Sequence, residues 1–123
     1  MLNKYGKAAV AAARMKRGDP IARWMMATRL LFPESPSSQI KGCPRGAFLG
    51  LCEEGPVKGI PTGSYTKSAK NKLYAITAIR LLESGAIAVT PLELWDLVMP
   101  RKNISHNSQM DVVLALWDRG LIA

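Results

Sequence analysis

Histidine and cysteine are almost missing from this chain. Among 123 residues there is one histidine, His106, and there are two cysteines, Cys43 and Cys52. Metal centres are built from clusters of such ligands, so no metal site is expected, and no motif calls for a cofactor. The two cysteines are nine positions apart. On one helix, turning about 100° per residue, they face opposite ways, which forbids a mutual disulfide and leaves two reduced thiols. Long apolar runs are lacking as well. None approaches the roughly 18–20 residues of a membrane span, and the N-terminus has neither the apolar stretch nor the small-residue cleavage site of a secretory leader. A membrane partner is therefore set aside and a cytoplasmic location expected. Aromatic residues make up only 7%, yet hydrophobic residues reach 48%. That is enough buried surface to exclude a wholly disordered chain, and at this length one domain spanning 1–123 is expected.

Acidic residues are also few, 9 against 17 lysines and arginines, for a formal net charge of +8. The excess is uneven. Residues 1–34 hold seven cations and two carboxylates, and residues 67–84 hold four and one, whereas residues 85–123 hold three cations and four carboxylates. A basic N-terminal and central surface attracts phosphates or acidic partners; it also serves simply to keep a protein soluble.

What is abundant is helical patterning, and period-two alternation between hairpin turns does not occur. The reading is all-α: a compact bundle of about six helices with one long Gly/Pro-rich loop. A first helix runs from about Asn3 to Lys16 with a thin, alanine-rich face. Asp19 and Pro20 open a second, which Pro33 ends near Phe32. Ser37 and Ser38 can cap a short turn. A third helix runs from Pro44 to about Glu54 and ends at Gly55. Gly46 and Gly50 lie on one side of it, which implies a close approach by another backbone, because each glycine costs about 1 kcal/mol relative to alanine. The segment 55–66, GPVKGIPTGSYT, is the longest irregular stretch. Thr66 is expected to cap a fourth helix to about Ser84, apolar over most of its surface and so read as central. Thr90 and Glu93 have capping-box spacing ahead of a fifth helix that Pro100 stops. A last helix runs from about Asn107 to Arg119.

The strings KGCPRGAFLGLCEEG (Lys41 to Gly55), VKGIPTGSY (Val57 to Tyr65) and HNSQMDVVLALWDRGLI (His106 to Ile122) resemble a family of small uncharacterised bacterial proteins. The resemblance covers nearly the whole chain and implies a free-standing domain of bacterial origin. It carries over no activity and no catalytic residue.

Three constellations can hold chemistry. The glycine loop feeding the fourth helix offers hydroxyls of Ser64, Tyr65 and Thr66, free backbone N–H groups, and Lys58, Lys67, Lys70 and Lys72. Together they form a candidate anion-binding site of Lys58, Ser64, Thr66, Lys67 and Lys70. It is not a phosphate-binding Gly-Lys-Ser/Thr loop, since the glycines are too close and that ending is absent. Lys4, Lys7, Arg14 and Arg17 share a broad side of the first helix and form a basic face. Third, Cys43, read as the N-cap ahead of Pro44, sits where a helix dipole favours a thiolate. With Tyr65 and His106 it would make the catalytic set of a small cysteine-dependent enzyme. A helix-turn-helix formed by the last two helices is disfavoured, because Asp111 and Asp118 lie on the outward side of the would-be recognition helix and repel phosphates. The favoured expectation is a non-enzymatic interaction module whose basic face meets an anionic partner, an acidic protein or a nucleic-acid backbone. The cysteine enzyme is the alternative. Three tryptophans and six methionines leave room for a homodimer face.

Overall fold

The computed structural model describes residues 2–101 and 103–123; Lys102, within the polar RKNISHNS stretch, lies outside them. The described residues form helices α1 (Lys4–Arg14), α2 (Pro20–Leu31), α4 (Gly42–Glu54), α5 (Ala69–Glu83), α6 (Pro91–Val98) and α7 (Gln109–Asp118), with α3 (Pro36–Gln39) a single turn. Six helices of eight residues or more and no sheet make the all-α reading hold.

Local chemistry accounts for most of the helix starts. Asn3 accepts from the Gly6 N–H and Asp19 from the Ala22 N–H, each at 2.8 Å. Thr90 accepts from Glu93 N while the Glu93 carboxylate reaches back to Val89 N, each at 3.2 Å. Three expected caps move. Ser35, not Ser37 or Ser38, caps α3. Lys41 occupies the N-cap of α4 without a side-chain bond, so Cys43 falls inside the first turn. Ser68, not Thr66, caps α5. Thr66 instead accepts from Ser68 N at 3.0 Å, a local turn that ends before the helix begins.

Buried side chains from all six longer helices join in the core, with Trp24, Phe48, Leu51, Leu94, Met110 and Leu116 among the largest. The alanine face of α1 packs closely on α2 and α7. Helices α1, α4 and α7 are each more enclosed than α5, which packs on α4, α6 and α7 but was expected to be the most covered. From Gly46 to Cys52 every residue of α4 is buried, whereas α5 buries only Ala75, Ala78, Ile79 and Leu82 and leaves Leu73 60% exposed. The wide apolar surface of α5 thus includes positions that stay in the open.

The expected close approach at Gly46 and Gly50 is the crossing of α4 with α5. A Cβ at Gly46 would stand 2.9 Å from Asn71 Cβ, and one at Gly50 2.6 Å from Lys72 Cβ and 2.7 Å from its Cα. Contacts below 3 Å to another backbone leave space only for glycine. This crossing brings the start of α5 against α4 and positions everything described next.

Candidate functional site: a cavity at the start of α5

Two environments flank the first turn of α5. On one side lies the 55–66 loop, whose anion turns out to belong to the chain itself. Glu53, at the end of α4, accepts from the N–H groups of Tyr65 (2.8 Å) and Thr66 (3.2 Å) and from the Lys72 ammonium. Lys72 also pairs with Glu54. These hydrogen bonds, Lys72 first, hold the Glu53 carboxyl down at about 2. The Gly63 N–H donates to the Glu53 carbonyl at 3.3 Å, and the Tyr65 hydroxyl donates to Pro61 O at 2.8 Å. The loop is also fastened to the end of the chain: Lys58 N donates to Leu121 O, Ala123 N donates to Pro56 O, and Val57 pairs with Ile122. The N–H groups of Lys58, Gly63, Tyr65 and Thr66 are therefore occupied within the chain, and Lys72 is neutralised.

On the other side is an open cavity of about 460 Å³, lined by residues from the first turns of α4 and α5 and from the segment leading into α7. Lys67 and Lys70 border it together with Cys43, Ser68, Asn71 and Tyr74, and Ser105, Asn107 and Gln109 face them. Among the described residues, neither lysine has a carboxylate within ion-pair distance. The α5 side of the wall is a donor surface. Ser68 Oγ already accepts from Asn71 N (3.4 Å) and Asn71 Nδ2 (2.8 Å), so its own proton is left to give outward. Asn71 Oδ1 is taken by Gln109 Nε2 at 3.1 Å, and Gln109 Oε1, on a side chain only 1% exposed, is taken by Asn107 N at 2.6 Å. The lone pairs of Asn71 Oδ1 and Gln109 Oε1 are thus engaged inside the wall, while the Lys67 and Lys70 ammonium groups and the Ser68 hydroxyl border the opening.

The remaining sequence candidates are distributed as follows. Lys67 and Lys70 reach the cavity; Lys58, Ser64 and Thr66 do not line it, and Lys58 and Ser64 lie exposed in the loop. Cys43 lines the cavity, half-buried, but Tyr65 and His106 do not. The His106 Nε2 atom accepts from Met110 N at 3.1 Å and so caps α7, with its ring against Trp95 and its Nε2 3.9 Å from Asp111. Burial lowers the His106 pKa and raises that of Asp111. Cys52 is wholly buried, with its thiol pushed up to about 12 by that burial. In the basic face, Lys7 and Arg14 border a groove of about 380 Å³ between α1 and the end of α7, where Arg119 joins them. Lys4 instead lies over the Phe32 ring at 5.5 Å, and Arg17 is exposed in the turn that follows α1.

The residues missed by sequence reasoning are Glu53, Ser68, Asn71, Gln109 and Arg119. Only Glu53 left a trace, as one of two adjacent carboxylates immediately ahead of a loop rich in N–H groups.

The model of a family of unknown function, DUF6979, matches residues 2–123. The chain belongs to that family. No curated protein and no solved structure matches this DUF6979 chain. Among its described residues no helix is long and apolar enough to cross a membrane, and no three His, Cys, Asp or Glu side chains are grouped to hold a metal ion.

Proposed function

We propose that this protein is a non-enzymatic binding module which holds an anionic group of a partner in the cavity at the start of α5. One observation carries the reading: Lys67, Lys70 and the Ser68 hydroxyl present only protons to a cavity that no carboxylate lines. The N-terminal end of α5 adds its dipole, favouring negative charge and opposing the two lysines until an anion arrives. The groove at Lys7, Arg14 and Arg119 extends the electropositive surface that draws an acidic protein or a nucleic-acid backbone by long-range attraction.

The test is titration with inorganic phosphate, followed by amide shifts at Ser68–Asn71, alongside retention on heparin and on an acidic-peptide column as salt is raised. Shifts confined to the cavity, and retention that falls steeply with salt, support the reading. An unaltered spectrum together with salt-independent or absent retention removes it.

One observation favours a second reading, cysteine-dependent chemistry: Cys43 lies in the same cavity as the two lysines. Iodoacetamide alkylation of Cys43 no faster than that of a model thiol at neutral pH would remove this alternative.

A further inference from the structure

Helix α2 is apolar on two opposite sides. Trp24, Ala27 and Thr28 face the core, while Ala22, Met25, Met26, Arg29 and Leu30 line a shallow groove of about 340 Å³ on the outside. Met25 is 41% exposed, Met26 58% and Leu30 69%. A helix that is hydrophobic nearly all round is normally covered on both sides, and methionine-rich faces are adaptable docking surfaces.

The charges at the two ends of this stripe indicate what covers it. Asp19 caps the N-terminal end of α2 and Arg29 stands in its last turn; both are exposed, and among the described residues neither forms an ion pair. Two copies of α2 laid antiparallel about a two-fold axis between Met25 and Met26 set Arg29 of each copy opposite Ala22 of the other. The small alanine leaves the guanidinium room to reach Asp19, one turn away on the same side. The methionines then meet at the axis, with Leu30 shielding them. The stripe is self-complementary in both charge and apolar content, as an isologous interface requires.

We infer that the outer face of α2 is the contact surface of a homodimer, formed by antiparallel pairing of the two α2 helices with reciprocal Arg29–Asp19 contacts. The stripe is about two turns long, which makes the association weak and concentration-dependent.

Sedimentation velocity of the full chain from low micromolar to millimolar concentration tests this, with circular dichroism as the check on folding. The chain is expected to shift from monomer to dimer, and Met26→Lys or Leu30→Lys, both at exposed positions, to hold it monomeric. Arg29→Glu and Asp19→Lys each place like charges together and weaken self-association by about tenfold or more. Mixed in equal amounts, these two variants regain both opposite-charge contacts and form a heterodimer. A chain that stays monomeric at millimolar concentration overturns the inference. So does a dimer indifferent to Met26→Lys and Leu30→Lys, or a charge-variant mixture that does not recover. Phosphate titration of the Met26→Lys monomer separates this inference from the proposed function, since the cavity is not part of the α2 face.

Discussion

Lys70 and Lys72 are two residues apart on one helix and live in opposite electrostatic conditions. Residues at that spacing point to opposite sides, and here the two sides have been resolved differently. Lys72 faces the end of α4 and is satisfied by Glu53 and Glu54, with the same Glu53 carboxylate stapling the N–H groups of Tyr65 and Thr66. Lys70, with Lys67, faces a cavity whose wall offers protons and no carboxylate. A basic, glycine-rich stretch does not in itself make an anion site; it makes one only where the chain has not supplied its own anion.

That contrast can be broken at its base by removing the crossing that separates the two sides. Gly50→Val places side-chain carbons into Lys72 Cα and Cβ. It is expected to cost about 2–3 kcal/mol, read as a lowered midpoint in urea, with both the Glu53 side and the cavity lost together. Next in size is Glu53→Gln, which keeps the shape but removes the charge that Lys72 and two N–H groups share. A loss of about 1–2 kcal/mol and faster proteolysis within residues 55–66 are expected, while phosphate binding at the cavity persists. The same group predicts an acid limb. Because the folded Glu53 carboxyl is held at about 2 instead of the usual 4.5, its contribution is whole above pH 4.5 and drains away as pH falls towards 2. Urea midpoints measured across that interval should lose their slope in Glu53→Gln.

The opposite manipulation, Lys67→Ala with Lys70→Ala, should leave stability within about 0.5 kcal/mol, since both side chains are exposed and, among the described residues, form no ion pair. Phosphate affinity should fall about tenfold or more. A double variant that binds phosphate as before would erase the distinction between the two sides. The smallest effect belongs to His106. Its lowered pKa means that the folded protein prefers the neutral ring, whose Nε2 lone pair caps Met110 N. Stability is therefore fully present above the ordinary histidine value of about 6.5 and declines as pH falls below it. The decline should vanish in His106→Gln and be visible in the chemical shifts of α7.

The helices were legible in the chain because their signals are local. Asp19-Pro20 and Thr90 with Glu93 mark starts, and Gly55 marks an end through a positive φ of 93°. Gly46 and Gly50 foretold a close crossing because two glycines inside a helix cost stability unless another chain segment packs closely against them. The crossing partner was not legible, since it depends on how α5 returns over α4. The same limit explains the site. Lys67 and Lys70 were found from their position at a helix start, but the closing of the loop by Glu53 joins residues twelve and more positions apart. Gln109 is buried against Asn71 across 38 positions. The breadth of apolar residues on α5 misled because composition does not distinguish a face that meets the core from one that stays outside.

The fastening of the 55–66 loop to residues 121–123 has a consequence during synthesis. Val57, Pro56 and Lys58 emerge from the ribosome long before Ile122, Ala123 and Leu121, which supply their backbone partners. Until those last residues arrive, as well as α7, which packs on α1, α4 and α5, the earlier helices have apolar surface without a cover. Closing such long chain separations is slow relative to local helix formation. Productive folding therefore waits until α7 and residues 121–123 have been translated.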